Sequence, residues 1–387
     1  MDRLERLRDE VLARFERLPP ERVPLSAALE RWLAAPVMAA CAAPPFTCSA
    51  MDGYALRAAD APGRLRVVRA VFAGDAPGAA IGPGEAVRIY TGAPIPPGAD
   101  AVAREEATRE RDGEVEVRDA PRQGENVRPA GEDVAAGGLA LAPGVRIGAR
   151  QLALLTAVGA REVEVVRRPR VALFSTGDEV VTGRIANSNG PAVAAALRAL
   201  GAEVEAAEVG DDVEQLSAAL ESALAASDAV VTIGGVSIGA RDHVPAAVAR
   251  AGGDVRVHGV PMKPGKPFLF ALARGKPVLG LPGSPSACLV AFEVFARPAL
   301  LRLAGAARPF RRALRLPLAE ALSGRPGRAR FIWARVEGDG RVRPIGRDAA
   351  QMRGPALADA LVWVREGLGE LAEDAPVETW ILEEDGA

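Results

Sequence analysis

The sequence predicts a multidomain protein of the α/β plus β class. We expect a central domain with a doubly wound, mostly parallel sheet, a β-rich inserted domain, and a small, barrel-like β-rich C-terminal domain. From Arg170 onward, strand-like and helix-like stretches alternate, which is typical of a parallel sheet with helices on both faces. Between Pro44 and about Pro143 the runs are short, β-like and separated by Gly/Pro pairs, and short strand-like runs return after Pro309.

Length, charge and cysteine content exclude several classes of protein. A chain of 387 residues suggests about two to four domains. With 48 basic and 50 acidic residues and no long basic run, neither nucleic acid nor a membrane surface is expected as a partner. Cys41, Cys48 and Cys288 lack metal-ligand spacing and are too few for a disulfide framework, which favours a reduced, cytoplasmic protein. The N-terminus is rich in Arg and Glu and no long stretch is uninterruptedly apolar, so neither a signal peptide nor a membrane span is expected.

Apolar periodicity and turn residues predict the elements of the first half. Apolar residues spaced three and four apart predict an amphipathic helix over 2–18, stopped by Pro19 and Pro20. A second short helix is predicted over 23–36, with Ser26 as a candidate N-cap. The expected strands of the β-rich region are 65–71, 86–90 and 114–117, the last of which follows an Asp112–Gly113 turn. A helix at 150–159 and a strand at 162–166 then lead to a boundary near Pro169.

In the alternating region the predicted strands are 171–174, 203–208, 230–233 and 277–281, and the predicted helices are 191–200, 213–226 and 287–303. Beyond it we expect strands at 330–336 and 377–382, with a helix-like stretch at 355–362 between them. The loops 175–179, 210–212 and 234–242 all follow predicted strands. They should therefore gather at the carboxyl edge of the sheet, where α/β proteins bind their ligands.

The stretch from Asp228 to Asp242 carries the first chemical signal. A short apolar, largely β-branched run ends at Gly234 and Gly235, which, together with Gly239, let backbone N–H groups converge on an anion without interference from a Cβ atom. A carboxylate beside a phosphate-sized cradle indicates a hard cation between the two, so Asp242 points to Mg²⁺ and a phosphorylated ligand. The alternative is an ordinary strand-to-helix turn with Asp242 as the helix N-cap, and this loop by itself does not separate the two interpretations.

The lysines give a second signal. Only three lysines, at positions 263, 266 and 276, occur among the 48 basic residues, and two of them share one K-P-G-K-P loop. Lys263 and Lys266 would supply compact ammonium charges for a phosphate or another oxyanion, and Pro264 and Pro267 would limit the entropy lost on binding. The alternative is a solvated turn.

Several long motifs occur in a fixed order along nearly the whole chain. They are PPFTCSAMDGYAL (44–56), TGAPIPPGAD (91–100), GENVRPAGED (124–133), FSTGDEV (174–180) followed by NSN (187–189), TIGGVSIGARD (232–242), PMKPGKP (261–267) and GLPGSP (280–285). In this order they resemble the molybdopterin molybdenumtransferase family, of the MoeA and gephyrin E-domain type. The resemblance is weakest after about residue 310.

The resemblance implies a reaction and a set of site residues. Adenylylated molybdopterin and molybdate enter, the phosphoanhydride is cleaved with release of AMP, and molybdenum ends on the dithiolene sulfurs. The family's acidic catalytic positions correspond to Asp52, Glu179, Asp211 and Asp242, of which Asp52, Glu179 and Asp242 would hold Mg²⁺. The implied substrate-binding residues are Thr91, Gly234, Gly235, Ser237, Gly239, Lys263, Lys266, Pro282, Ser284 and Pro285. From the residues alone, Asp211 could instead cap the helix that follows it.

The resemblance also implies an organisation and partners. We expect a molybdopterin-binding α/β domain at 1–19 and 169–308, a linking domain at 20–38 and 143–168, the β-rich domain at 39–142 and the C-terminal domain at 309–387. The expected assembly is a homodimer whose site lies at the subunit interface, and a molybdopterin adenylyltransferase is a further expected partner. A molybdopterin adenylyltransferase activity or a non-catalytic molybdopterin-binding scaffold are the alternative functions.

Three positions depart from the family pattern. Gly259 stands where the family usually has Lys or Arg, Ser284 replaces an Asn, and Ala287 replaces a Ser. The first departure bears on the oxyanion site.

Overall fold

The computed structural model describes residues 2–237, 243–324, 326–346 and 350–382. The chain forms two compact units. The first comprises Met1–Glu21, Glu30–Ala34 and Val165–Ala387, and the second comprises Arg22–Leu29 and Ala35–Glu164. Among the described helices, none is long and apolar enough to cross a membrane.

The described residues include α-helices in both compact units. They are α1 Arg3–Leu12, α2 Ala149–Ala157, α3 Asp178–Val181, α4 Asn189–Ala199, α5 Val213–Ala226, α6 Val244–Arg250, α7 Pro285–Ala291, α8 Arg297–Leu303 and α9 Arg353–Leu357. A π-helical turn at Phe292–Ala296 joins α7 to α8.

The strands of the first half are β1 Pro20–Pro24, β2 Val37–Met38, β3 Cys48–Ser49, β4 Gly53–Leu56, β5 Gly63–Val71, β6 Glu85–Ile89, β7 Ala101–Arg104, β8 Thr108–Arg111, β9 Glu114–Val117, β10 Val127–Arg128, β11 Leu139–Leu141 and β12 Glu162–Val166. Those of the second half are β13 Arg170–Thr176, β14 Glu203–Val209, β15 Ala229–Ile233, β16 Gly253–His258, β17 Met262–Lys263, β18 Leu269–Ala273, β19 Lys276–Leu281, β20 Ala313–Pro317, β21 Ala329–Val336, β22 Val342–Gly346, β23 Ala360–Val364 and β24 Pro376–Ile381.

The central sheet of the first unit has the order β14-β13-β15-β19-β18-β16. The first four strands are parallel, whereas β18 and β16 run antiparallel to their neighbours. Alternate residues of the buried strands enter different apolar clusters: Leu173 and Val231 pack with Phe295 of the π-helical turn, whereas Ala172 and Val230 pack with helix α5. The sheet is therefore covered on both faces, and the predicted α/β fold with a mostly parallel sheet is confirmed.

A second sheet, formed by the C-terminal residues together with β17 of the α/β segment, packs within the same compact unit. Its order is β17-β21-β23-β24-β20, with β22 paired to β21. Phe331, Trp363 and Trp380 form an aromatic group in which ring centroids lie 5.3–5.5 Å apart, and this group belongs to the same apolar cluster as α1. The predicted β-rich C-terminal domain is confirmed.

The β-rich unit is built on a six-stranded sheet of order β7-β4-β6-β5-β9-β8. The predicted Asp112–Gly113 hairpin turn joins β8 to β9, and both residues have the positive φ values, 54° and 80°, that this turn requires. The inserted β-rich domain is thus confirmed, while the finer division of the chain into four domains stays a prediction.

Most helices of the alternating region lie where the sequence predicts them. Val213–Ala226 agrees at both ends, and α4 ends, as expected, just before Gly201, whose φ is 87°. His243 is the N-cap residue of α6 and His258 ends β16. The helix predicted over 287–303 begins two residues earlier, since Pro285 fits the first helical position.

Two predicted elements are wrong, and a third, the N-terminal helix, is present but shorter than predicted. Residues 23–36 form no α-helix: β1 is followed by a 3₁₀ turn at Leu25–Ala27 without a side-chain cap, so Ser26 does not cap a helix, and Glu30 takes the left-handed φ of 65°. The N-terminal helix ends at Leu12 rather than 18, although Phe15 is still buried against Phe270. The helix-like stretch 355–362 contains the short helix α9 and then β23, all of whose residues are buried. A strand buried on both faces has a continuous apolar pattern, which periodicity alone cannot separate from a buried helix.

A buried hydrogen bond ties the C-terminal sheet to α7 and gives a stability test. The indole Nε1 of Trp333 donates to Ser286 Oγ over 2.8 Å, and Ser286 is only 2% exposed. Ser286→Ala leaves the indole N–H without its partner, so we expect a loss of about 1–3 kcal/mol in the free energy of unfolding, measured by chemical denaturation. Ser222→Ala, at an exposed position of α5, is the matched control and should change it by less than about 0.5 kcal/mol. Equal stability of the two variants would contradict the assigned role of this bond.

Candidate functional site at the carboxyl edge of the central sheet

A cleft of about 760 Å³ opens at the carboxyl edge of the central sheet. Its walls are the segments that follow β13, β14, β15 and β19, together with the start of α7. The polar, glycine and proline residues lining it include Ser175, Thr176, Gly177, Glu179, Asn187, Ser188, Asn189, Asp211, Gly234, Gly235, Ser237, Pro282, Gly283, Ser284 and Pro285. The described parts of the three predicted loops therefore meet at one edge.

The turn after β15 can be built only from glycine. Gly234 and Gly235 have φ values of 88° and 62°, which L side chains rarely adopt. In addition, a Cβ atom on either residue would lie 3.0 or 3.1 Å from Thr176 Oγ1, and that hydroxyl already donates to the Ile233 carbonyl over 3.2 Å. The predicted tight glycine turn is present, and it brings the backbone close to the end of β13.

Two aspartates hold each other's loops in place beside Glu179. Asp211 Oδ2 accepts from the Asp178 amide at 3.3 Å, and Asp178 Oδ1 accepts from the Asp211 amide at 3.0 Å. The cap of α5 is Asp212, which accepts from the Gln215 amide at 2.8 Å, so the alternative assignment of Asp211 as that cap is wrong. Glu179 and Asp211 both line the cleft. Asp178 and Asp211 each use only one carboxylate oxygen to accept from the amide of the other.

Two asparagines that were not predicted as site residues line the same cleft. Asn187 Oδ1 accepts from the Gly190 amide at 2.8 Å, and its Nδ2 donates to Glu208 at 2.9 Å. Asn189 Nδ2 donates to the Gly283 carbonyl at 2.7 Å and so joins the start of α4 to the Pro282–Pro285 turn. The N-S-N motif was visible as part of the family pattern, but a role as a brace between two loops becomes visible only in the fold.

The K-P-G-K-P segment reaches two cavities of the same unit. Pro267 lines the cleft beside the glycine turn, whereas Met262–Lys263 is a strand of the C-terminal sheet and pairs with Ala329–Arg330. A cavity of about 230 Å³ is lined by Lys263, Ser286, Ser323, Arg330 and Trp333 among others, and no described residue of its lining is acidic. Lys263 thus faces a different cavity from the glycine turn. Lys266 is exposed and lines neither cavity.

The three lysines differ in their contacts. Lys276 Nζ donates to the Leu224 and Ser227 carbonyls at 2.6 and 2.8 Å, so it serves the fold. The side-chain ammonium groups of Lys263 and Lys266 have no hydrogen bond or ion pair with any described residue, although the Lys266 carbonyl accepts from the Val260 amide at 2.9 Å.

Arg330 contributes the second positive charge of the smaller cavity. Its Nη2 donates to the Gly369 carbonyl at 2.7 Å, while its Nε is buried without a partner among the described residues. Burial lowers the pKa of the guanidinium, which nevertheless stays charged at neutral pH because its ordinary value is so high. Gly259, the position that departs from the family pattern, has a φ of 86°, a conformation that a lysine or arginine would rarely adopt.

Asp52 and Thr91 belong to the β-rich unit and form a pair there. Asp52 Oδ1 accepts from both the amide and the hydroxyl of Thr91 at 2.7 Å, and these bonds, the amide bond first, hold the pKa of the exposed carboxyl below its usual range. The next residue must be glycine, since a Cβ atom on Gly53 would lie 2.0 Å from the Ala103 carbonyl oxygen. The M-D-G-Y motif thus fixes an ionised carboxylate at the start of β4.

The cleft contains oxygen ligands of the type that hard cations such as Mg²⁺ prefer. Glu179 and Asp211 offer carboxylate oxygens, although among the described residues no three acidic, His or Cys side chains lie close enough to hold a metal by themselves. Mg²⁺ commonly uses one or two carboxylates and completes its shell with substrate phosphates and water, so these residues fit that ion. Asp242 and Gly239 lie outside the described residues.

Three family models match the chain in succession. The MoeA N-terminal region (domain I and II) matches residues 2–159, the probable molybdopterin binding domain matches 172–302, and the MoeA C-terminal region (domain IV) matches 315–382. Together they follow the order of the β-rich unit, the central sheet and the C-terminal sheet.

Individual relatives agree with the family models. A molybdopterin molybdenumtransferase of Nostoc sp. is 39% identical over 306 residues, covering 74% of this chain and 70% of the relative. Molybdopterin molybdenumtransferase 2 of Mycobacterium tuberculosis is 37% identical over 385 residues, covering 94% and 95%. The crystal structure of a molybdopterin biosynthesis MoeA protein from Pyrococcus horikosii superimposes with a TM-score of 0.77 at 34% identity, covering 98% of both chains. The chain therefore belongs to the molybdopterin molybdenumtransferase (MoeA) family.

Proposed function

We propose that this chain is a molybdopterin molybdenumtransferase that inserts molybdenum from molybdate into adenylylated molybdopterin, with Mg²⁺-dependent release of AMP. The observation that carries the proposal is the cleft in which the Gly234–Gly235 turn faces Glu179 and Asp211, in a chain whose family models include both MoeA regions as well as the molybdopterin-binding domain. A molybdopterin adenylyltransferase would have no need of residues 39–142, which argues against that alternative.

In this proposal the chain's own residues divide the work. The Gly234 amide already donates to the Leu281 carbonyl at 2.9 Å, so that N–H serves the fold and does not bind a phosphate as the sequence predicted. The turn still brings the Gly235 backbone to the cleft, whose walls are also shaped by Ser237, Ser284 and the neighbouring prolines. Glu179, Asp52 and Asp242 would hold Mg²⁺, which when bound supplies positive charge to the phosphate oxygens as the anhydride breaks. The mutual bonds of Asp178 and Asp211 fix Asp211 in position before the substrate arrives.

The smaller cavity is our candidate for the molybdate site. Lys263 and Arg330 stand on adjacent strands and line it with no described carboxylate among them, so an oxyanion would meet two positive charges. The hydroxyls of Ser286 and Ser323 lie in the same lining and add hydrogen-bonding groups.

The remaining proposals concern the location, the oligomeric state and the partner of the protein. We propose a cytoplasmic homodimer in which Asp52 and Thr91 of one subunit complete the site of the other, and a molybdopterin adenylyltransferase that hands over the substrate. The low pKa of Asp52 supports its role, because a metal-binding carboxylate must be ionised.

The first functional prediction concerns the reaction itself. Purified chain incubated with adenylylated molybdopterin, molybdate and Mg²⁺ should release AMP, detected by mass spectrometry, whereas omission of molybdate or chelation of Mg²⁺ should suppress the release. AMP formation that ignores both omissions would contradict the proposed function. Formation of adenylylated molybdopterin from ATP would instead identify an adenylyltransferase.

The second prediction concerns Asp242. Asp242→Asn should abolish Mg²⁺-dependent turnover and leave the thermal unfolding temperature unchanged, since it removes a coordinating charge and no core packing. Asp254→Asn, on the exposed side of β16, is the matched control and should turn over like the wild type. Wild-type turnover by Asp242→Asn would remove Asp242 from the metal site.

The third prediction concerns the lysines. Lys263→Ala and Lys266→Ala should each weaken ligand binding by about 1.5–3 kcal/mol, with little change in thermal stability, because both side chains are exposed and unpaired among the described residues. Lys→Arg should rescue only partly, because a planar guanidinium replaces a compact ammonium.

Calorimetric titration with molybdate and, separately, with adenylylated molybdopterin measures these losses. Lys276→Ala is the control, expected to lower stability without changing affinity, since its ammonium binds two carbonyls of the fold. Unchanged affinity with a lowered unfolding temperature in the Lys263 and Lys266 variants would mean that they too serve the fold.

A further inference from the structure

Three chain segments meet where strand β4 of the β-rich sheet begins and strands β5 and β6 end, beside the Asp52–Thr91 pair. We call this end of the three strands the edge. Strands β5 and β6 are parallel with Val71 opposite Ile89, and Gly53 at the start of β4 lies opposite the same Ile89. The residues just beyond these positions, Phe72, Tyr90 with Thr91, and Asp52, therefore share this edge.

An exposed aromatic ring stands here. Phe72 is 51% exposed, yet its ring stacks on Tyr90 with centroids 4.6 Å apart and an interplanar angle of 10°. Because Tyr90 covers one face of the ring and half of the residue is exposed, the other face is open to a further planar group. Single exposed apolar side chains are common on protein surfaces. What distinguishes Phe72 is its stacking on Tyr90 and its position beside Asp52.

The ring is held in position before any ligand arrives. Asp75 Oδ2 accepts from the Phe72 amide at 2.8 Å, and the Asp75 amide donates back to the Phe72 carbonyl at 3.1 Å. The ring itself rests on Tyr90, at a centroid distance of 4.6 Å. A fixed ring loses little conformational entropy when a ligand stacks on it.

The surroundings favour a neutral planar ligand over an ionic one at this ring. The guanidinium carbon of Arg88 lies 5.8 Å from the centroid of the Tyr90 ring, and this arginine is already paired with Glu105 and Glu110 at 2.8 and 3.3 Å. The open face of Phe72 therefore offers dispersion and stacking and not charge.

We propose that the open face of Phe72 stacks on a planar fused-ring heterocycle of the substrate, next to the carboxylate of Asp52. The inference rests on the proposed function, since adenylylated molybdopterin carries two such rings, the adenine and the pterin. Phe72 is thus a positioning residue that aligns one end of the substrate with the Asp52–Thr91 pair.

The test is calorimetric titration of the full chain with adenylylated molybdopterin. Phe72→Ala should weaken binding roughly 5- to 100-fold, the range found when a base loses an aromatic stacking partner. Phe72→Trp should bind as tightly as the wild type, whereas Phe72→Leu, which keeps an apolar side chain without a planar face, should resemble Phe72→Ala. Phe310→Ala removes another exposed phenylalanine, from the other unit, and should leave affinity unchanged.

Two further titrations identify the ring. Loss of AMP affinity in Phe72→Ala, with molybdopterin affinity kept, assigns the adenine; the reverse assigns the pterin. Wild-type affinity for adenylylated molybdopterin in Phe72→Ala, or its full recovery in Phe72→Leu, would overturn the proposal. A changed oligomeric state of Phe72→Ala in light scattering would also overturn it, by showing that a second copy covers the ring. None of these outcomes alters the AMP-release test on the wild type, so the proposed function stands or falls separately.

Discussion

The geometry of the cleft depends on one close approach, between the end of β13 and the turn after β15. Thr176 Oγ1 donates to the Ile233 carbonyl, and the space beside it admits the backbone of Gly234 and Gly235 but no Cβ atom. The register of the parallel strands fixes this approach, since Ser175 lies opposite Ile233. A side chain at either position would crowd Thr176 and adopt a disfavoured φ, so packing and backbone conformation both favour glycine here.

The C-terminal sheet and the α/β segment together line the smaller cavity. Strand β17, Met262–Lys263, belongs to the α/β segment in sequence but pairs with Ala329–Arg330 of the C-terminal sheet. This pairing brings Lys263 and Arg330, which are far apart in sequence, to one cavity. The Trp333–Ser286 bond fixes α7 against the same sheet. Ser286 therefore has two roles: it lines the cavity, and its hydroxyl accepts the hydrogen bond of the buried Trp333 indole.

The division of labour between arginine and lysine follows from their shapes. Arg167 grips Asp228 through two bonds of 2.6 and 2.7 Å, and Arg311 similarly engages Glu293 at 2.9 and 3.1 Å, as a planar fork allows. Lysine, a point charge, is used three times, and two of these residues are unpaired among the described residues. The two arginines thus hold carboxylates of the fold, whereas the ammonium groups of Lys263 and Lys266 are left without partners among the described residues.

The sequence by itself determined the fold class, most elements of the α/β region, the glycine turn and the family, because strand–helix alternation and the long motifs are local patterns. It misjudged 23–36 and 355–362, where local apolar spacing was overruled by a left-handed Glu30 and by the complete burial of β23. Only the tertiary structure decided that Lys263 faces Arg330, that Asn189 braces the Gly283 turn, and that Phe72 shares an edge with Asp52. These relations join residues far apart in sequence, and strand pairing, which no local pattern encodes, is what brings them together.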